Sequence, residues 1–166
     1  MSDVVIRPAI ASDLSLILSL NDAEVRWTSP LNHQQLVYLD QQACYHRVIC
    51  EEPDVPVGFL LVLPAGADYA SDNYRWFSTQ LTDFWYIDRI VINSNQAGKG
   101  LGVQLYQDLC QAAQHEGIVQ LACEYNLHPP NRPSARFHQR FGFEEMAQQT
   151  HNGKMVSLQV LDLNSR

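Results

Sequence analysis

Nine consecutive residues, Phe84 to Ile92 (FWYIDRIVI), constrain the fold more than any other stretch of the chain. All but Asp88 and Arg89 are apolar or aromatic. Such a run predicts a strand covered on both faces, and therefore a central one. A turn follows at Asn93-Ser94-Asn95, then the glycine-rich link Gln96-Ala97-Gly98-Lys99-Gly100-Leu101-Gly102. From Gly100 onward Leu101, Leu105, Leu109 and Ala112 repeat on one helical face, and Gly117 ends the helix. Val119 to Glu124 reads as the next strand. Strand, helix and strand in that order predict a right-handed parallel crossover.

The remaining segments fit around this unit. Val4 to Arg7 reads as a short strand closed by Pro8. Ser12 and Asp13 offer an N-cap for a helix that carries Leu14, Ile17, Leu18 and Asn21 and runs to about Ala23. Residues 24–31 are a loop with an exposed Trp27, and Gln34 to Gln42 fits a short helix. Tyr45 to Glu51 and Val57 to Leu63 read as a hairpin across the turn material Glu52 to Pro56. Residues 65–82 show no clean period and read as a long aromatic loop with Tyr69, Tyr74, Trp76 and Phe77. Arg132 to Phe141 is a short helix capped by Gly142. Phe143 to Gln148 and Met155 to Leu163 flank Asn152-Gly153, a strong hairpin signal. The expectation is one domain over residues 1–166. Its fold class is mixed α/β, a central sheet of about seven strands flanked by about four helices.

Composition narrows the function. The chain has 166 residues, 46% hydrophobic and 17% charged, which excludes a disordered chain. Its net charge of −7 argues against a broad phosphate-binding face for DNA or RNA and suits a cationic or amine-bearing ligand. Apolar runs such as Val57 to Pro64 are too short to span a bilayer, and the start of the chain does not read as a signal peptide. Cys44, Cys50, Cys110 and Cys123 form no CxxC pair, so free thiols in a reducing cytoplasm are expected. The histidines lack ligand spacing such as HxxxH, so no metal is expected.

The link after the central strand carries the chemistry. Glycines let the backbone approach a ligand, and the first turn of a helix leaves N–H groups pointing outward, a ready anion site. A tight turn that binds nothing is the competing reading. Two phosphate motifs fail. A P-loop needs Ser or Thr after its Lys, and Lys99 is followed by Gly100. A dinucleotide fingerprint needs a glycine where Val103 stands.

With "IDRIVINSNQAGKGLG" (Ile87 to Gly102) and "NRPSARFHQRFGF" (Asn131 to Phe143), the chain resembles the GNAT superfamily of acyl-CoA-dependent N-acetyltransferases over nearly its whole length. The family signature is Arg/Gln-x-x-Gly-x-Gly/Ala. Aligned on Gly100 and Gly102, its first position falls on Ala97, with Gln96 one residue early. The resemblance implies that the backbone of Gln96, Ala97, Gly98, Lys99, Gly100, Leu101 and Gly102 binds the pyrophosphate of acetyl-CoA. It also implies that Ile90, Val91 and Ile92 pair with the pantetheine arm. The second motif maps to Asn131, Ser134, Phe137, His138, Gly142 and Phe143. His138 stands where many relatives place a Tyr that protonates the departing thiolate, and it either serves as that acid or packs beside the cofactor.

The implied reaction moves an acetyl group from acetyl-CoA to the amine of a small or amino-acid-like acceptor by direct attack. Such chemistry needs a neutral amine and a proton acceptor. Asp88 shares a face with Ile90 and Ile92, with Arg89 expected to point the other way. A carboxylate there suits a general base, and equally a buried ion pair. Glu124 is the rival base, or an ordinary hydrogen-bonding group. Trp27, Tyr86 and Asn126 are candidate acceptor contacts, and Tyr69, Tyr74, Trp76 and Phe84 are further candidates for an aromatic lining; the competing reading is core, and a lining is favoured only for the aromatics in loops. Alternative acceptors are a protein N-terminus or a Lys side chain. From another class, a non-catalytic CoA-binding sensor fits the departures at Ala97 and His138. A homodimer through an exposed strand or the 65–82 loop stays open.

Overall fold

A computed structural model describes residues 3–151 and 153–165. Among them, strands β1 (Val4–Pro8), β2 (Tyr45–Glu51), β3 (Val55–Pro64), β4 (Phe84–Ile92), β5 (Gln120–His128), β6 (Glu144–His151) and β7 (Lys154–Asp162) form one sheet in the order β1-β2-β3-β4-β5-β7-β6. The helices are α1 (Leu14–Ala23), α2 (His33–Gln42), α3 (Asp72–Gln80), α4 (Leu101–His115) and α5 (Arg132–Phe141). β4 is the middle strand, as its apolar run predicts. The chain divides into two compact units, Met1–Leu63 with Ile87–Ala112, and Pro64–Tyr86 with Ala113–Arg166.

In the first unit, β1 and β2 pair antiparallel from Val4↔Glu51 to Pro8↔Arg47. β2 and β3 form the predicted antiparallel hairpin, with a register shift between Ile49 and Cys50. β3 is buried from Pro56 to Leu63, and α1 buries Leu14, Ile17 and Leu20. α4 buries Leu101, Leu105 and Leu109, the face its spacing predicts. Asp108 of α4 accepts hydrogen bonds from Tyr45 (2.7 Å) and Arg47 (2.8 Å) of β2, which fixes the helix that begins at the glycine link.

Asp13 holds the N-cap position of α1, but its side chain makes no cap hydrogen bond. It sits in a 3₁₀ turn, Ala11–Asp13, and accepts two hydrogen bonds from the Arg7 guanidinium, at 2.8 and 2.9 Å. A buried carboxylate beside a guanidinium is better satisfied by two charge-assisted bonds than by one helix N–H.

In the second unit, Phe84, Trp85 and Tyr86 of β4 pair in parallel with Gln120, Leu121 and Ala122 of β5. β5 pairs antiparallel with β7, and β7 with β6 in the expected hairpin. Of its turn, Asn152 lies outside the described residues; Gly153 has φ +75°. The expected 65–82 loop is corrected here, because it contains the nine-residue helix α3. Ser71 caps it, its hydroxyl accepting the Tyr74 N–H at 3.3 Å, and only Tyr74 and Phe77 turn inward. Two buried positions three residues apart are too few to stand out as a helical period. Tyr74, Phe77, Phe84 and Tyr86 form one buried aromatic cluster, with ring centroids 5.3–6.5 Å apart. Among the described residues no helix is long and apolar enough to cross a membrane.

Candidate functional site

The glycine link in the first unit has the geometry of an anion cradle. β4 ends at Ile92, and the Asn93 side chain accepts the Asn95 N–H at 3.0 Å, opening a 3₁₀ turn over Ser94–Gln96. Gly98 and Gly100 then take φ of +79° and +76°, a left-handed backbone that a residue with a Cβ rarely adopts. A Cβ at either would meet nothing within 4 Å, so backbone conformation rather than crowding calls for glycine, and the space beside them is open. The first α-helical bond runs from Gln104 N–H to Gly100 O at 3.1 Å. The N–H groups of Leu101, Gly102 and Val103 therefore precede the intrahelical ladder. Lys99 donates to the Gln96 side chain at 2.7 Å and lies 3.8 Å from Glu51. Open space, three first-turn amides and a cation fit a pyrophosphate.

Upstream on β4, Val91 is buried while Ile90 and Ile92 are partly exposed. Gly58 of β3 packs tightly here, since a Cβ on it would stand 2.9 Å from the Val91 carbonyl oxygen. Asp88 and Arg89 have side chains only 3% and 4% exposed. Arg89 does not point away as expected; its Nε donates to Asp88 Oδ2 at 2.7 Å. Its other nitrogens donate to Asn21 Oδ1 (3.1 Å), Ser29 O (2.9 Å) and Ser29 Oγ (2.9 Å). The pair thereby anchors the loop after α1 that carries Trp27. Trp27 is partly exposed, with the Arg26 guanidinium 5.0 Å from its ring centroid.

In the second unit the β5 residue Glu124 is the centre of a polar cluster. The Tyr86 hydroxyl donates to its carboxylate, 2.7 Å from each oxygen. The Asn73 amide donates to Oε1 at 3.2 Å, and Gln149 of β6 donates in turn to Asn73 Oδ1 at 3.0 Å. Tyr86 is 1% exposed, so its ring belongs to the aromatic core and its hydroxyl to Glu124. Phe84 and Tyr74 are core residues too, not an open lining, and the Tyr74 hydroxyl donates to Pro64 O. Asp72, Arg75, Trp76, Thr79, Gln149 and Thr150 line an open groove of about 410 Å³ in this unit. Sequence reasoning missed Asn73 and Gln149, and the one signal for Asn73 was the Ser71-Asp72 helix start.

The second motif forms a cap-and-stack arrangement. Asn131 is the N-cap of α5, its side chain accepting the Ser134 N–H at 3.3 Å, and its own N–H closes the loop onto Asn126 O at 3.0 Å. One turn on, His138 is 4% exposed. Its Nδ1 donates to the Ser134 carbonyl at 2.7 Å, which can only accept. The ring packs on Phe137, Phe143 and Tyr125 at centroid distances of 5.2, 5.1 and 5.7 Å. Burial holds its pKa below the ordinary histidine value, only partly offset by the Ser134 carbonyl. The imidazole is therefore mainly neutral at pH 7.

All four cysteines are free thiols. Burial pushes Cys44 up to about 12 and raises Cys50 and Cys123 as well, so none of these three is a ready thiolate. Among the described residues no group of three His, Cys, Asp or Glu side chains could hold a metal ion.

The strand–cradle–helix unit can hold an anion, and similarity to known proteins supplies the class. The chain belongs to the acetyltransferase (GNAT) family, whose sequence profile matches residues 16–143. An N-acetyltransferase from Staphylococcus aureus Mu50 is similar in structure, with a TM-score of 0.74 at 23% identity over 98% of this chain and 99% of that one. yncA from Salmonella typhimurium, solved with its cofactor acetyl-CoA, gives a TM-score of 0.71 at 20% identity over 98% and 95%. A chain of the NatC complex bound to Gag peptide and CoA gives 0.74 at 16% identity over 96% and 98%. No curated protein sequence matches the chain. The protein is an acyltransferase of this family, with acetyl-CoA as its acetyl donor.

Proposed function

We propose that this enzyme acetylates the amine of a small, amino-acid-like acceptor by direct attack, with Glu124 taking the proton from the amine. The observation that carries the reading is the clamp on Glu124, whose partly exposed carboxylate is oriented by the Tyr86 hydroxyl and the Asn73 amide. Two donors on one carboxylate aim its oxygens, and a proton acceptor must be aimed. Asp88 supports the base role less well, because its carboxylate is engaged by Arg89 in a buried pair.

Bound acetyl-CoA supplies a thioester whose acetyl carbon forms a bond to nitrogen as the bond to sulfur breaks. The first-turn amides of α4 and Lys99 hold the pyrophosphate end, and Ile90 to Ile92 offer backbone groups to the pantetheine arm. His138 packs rather than donates, since its Nδ1 proton is committed to the Ser134 carbonyl and burial disfavours a second proton. The raised pKa values of the Cys44, Cys50 and Cys123 thiols support direct attack over an acyl-enzyme. A net charge of −7 suits an acceptor that arrives as an ammonium ion. Free thiols fit a reducing, cytoplasmic setting.

Thiol release from acetyl-CoA, followed across a panel of small amines, free amino acids and N-terminal peptides, tests the acceptor class. The expected result is faster turnover with a small amine or amino acid than with any peptide. Turnover with peptides alone would overturn it.

A further inference from the structure

The helix that the sequence conceals delivers a side chain to the proposed base. We infer that Asn73 and Gln149 are positioning residues, a two-link amide relay that orients the Glu124 carboxylate. This rests on the reading of Glu124 as the proton acceptor.

The geometry is directional. Gln149 Nε2 donates to Asn73 Oδ1 at 3.0 Å, and Asn73 Nδ2 donates to Glu124 Oε1 at 3.2 Å. An ionised carboxylate can only accept, so the donor end of the Asn73 side-chain amide faces Glu124 and its carbonyl end is left for Gln149. Gln149 holds the carbonyl end of Asn73 and so keeps its amide in line with Glu124. The Tyr86 hydroxyl reaches both carboxylate oxygens equally, at 2.7 Å each, and so does not by itself distinguish them. Asn73 does, because it bonds only Oε1. Leu158 lies opposite Glu124 on β7 and brings no charge.

Gln149 also lines the groove formed with Asp72, Arg75, Trp76, Thr79 and Thr150. The far end of the relay therefore opens on a surface that a bound molecule can reach. Asn73 touches the base, Gln149 touches Asn73, and neither is a catalytic residue.

The experiment compares Asn73→Leu, Asn73→Asp, Gln149→Leu and Glu124→Gln with the parent protein. Steady-state kinetics are read from pH 5 to 9, a range spanning carboxylate and histidine reference values of about 4.3 and 6.5. Acetyl-CoA affinity by calorimetry reports the folded state. Asn73→Leu should lower kcat about tenfold, the loss of roughly one charged hydrogen bond, with acetyl-CoA affinity unchanged. Gln149→Leu should lower it by a smaller factor. Asn73→Asp sets a like charge beside Glu124 and should move the acidic limb of the kcat profile toward higher pH, a change that a purely structural role would not produce. If Glu124→Gln lowers kcat while both Asn73 variants keep the parent kcat and profile, the relay is wrong and the base assignment stands. If Glu124→Gln turns over at the parent rate, the base assignment itself fails and the relay with it.

Discussion

Replacing Arg89 with Met keeps most of the stem and removes the guanidinium. The structure sets the expected cost. Arg89 donates to Asp88, Asn21 and Ser29 from a side chain 4% exposed. The carboxylate it leaves behind belongs to a side chain 3% exposed. Removing one partner of a buried ion pair costs about 3–5 kcal/mol, against a total stability of roughly 5–15 kcal/mol for a typical domain. At about 2–4 °C per kcal/mol for a chain of this size, the melting temperature should fall by roughly 6–20 °C. Removing both charges should cost less than removing one, because no charged carboxylate is then buried opposite an apolar side chain. Arg89→Met with Asp88→Asn should therefore recover part of the loss in a double-mutant cycle read by urea unfolding. The same account expects Asp88→Asn to leave turnover per folded molecule within about threefold of the parent, a difference of under about 1 kcal/mol. An Arg89→Met protein melting within about 2 °C of the parent would refute the anchoring argument, since it would place the cost under about 1 kcal/mol.

The other predictions test the cradle, the packing beneath it and the acid limit of the fold. Gly100→Glu places bulk and negative charge where φ is +76° and should weaken CoA binding at least tenfold, about 1.4 kcal/mol, by calorimetry; unchanged binding in a folded variant would remove the pyrophosphate assignment. Gly58→Ala drives a Cβ to 2.9 Å from the Val91 carbonyl and should cost about 1–3 kcal/mol in urea unfolding. Burial lowers the pKa of His138, so the unfolded chain binds its proton first, and this contribution to stability is full above about pH 6.5 and lost as pH falls through the lower folded value. His138→Phe should flatten the stability profile in that window, and an unaltered slope would show that another group sets it. The Arg7 hydrogen bonds lower the pKa of Asp13, so its contribution is full above about pH 3.9 and lost as pH falls through its folded value; Asp13→Asn should reduce stability at pH 7 more than at pH 3, read by thermal melting.

The parts of the fold that the sequence revealed are those with strong periods or stereochemical demands. β4 and α5 match the expected ranges Phe84–Ile92 and Arg132–Phe141, the first through its unbroken apolar run and the second through Asn131 and Gly142 at its ends. The glycine link was legible because a left-handed backbone at Gly98 and Gly100 leaves few residues that fit. α3 was not legible, because it buries one residue per turn and surrounds it with aromatics that read equally well as loop. Missing α3 hid Asn73, and with it the bracket on Glu124. Arg89 was misplaced for a different reason. Strand alternation sends neighbouring side chains to opposite faces, but an arginine stem is long enough to fold its guanidinium back onto the adjacent carboxylate. Core and lining stay open for the aromatic residues in the sequence, because composition cannot distinguish a buried ring from an exposed one. Tyr86 is a core ring whose hydroxyl is bound to Glu124.

The most direct measurement is a single-turnover rate for parent and Glu124→Gln enzymes at saturating acetyl-CoA, with whichever amine the panel identifies, across the same pH range. The proposed role predicts a rate reduced on the order of 10²–10⁴-fold, the acidic limb of the profile abolished, and acetyl-CoA affinity unchanged. A Glu124→Gln enzyme that reacts at the parent rate with the parent pH profile would contradict it.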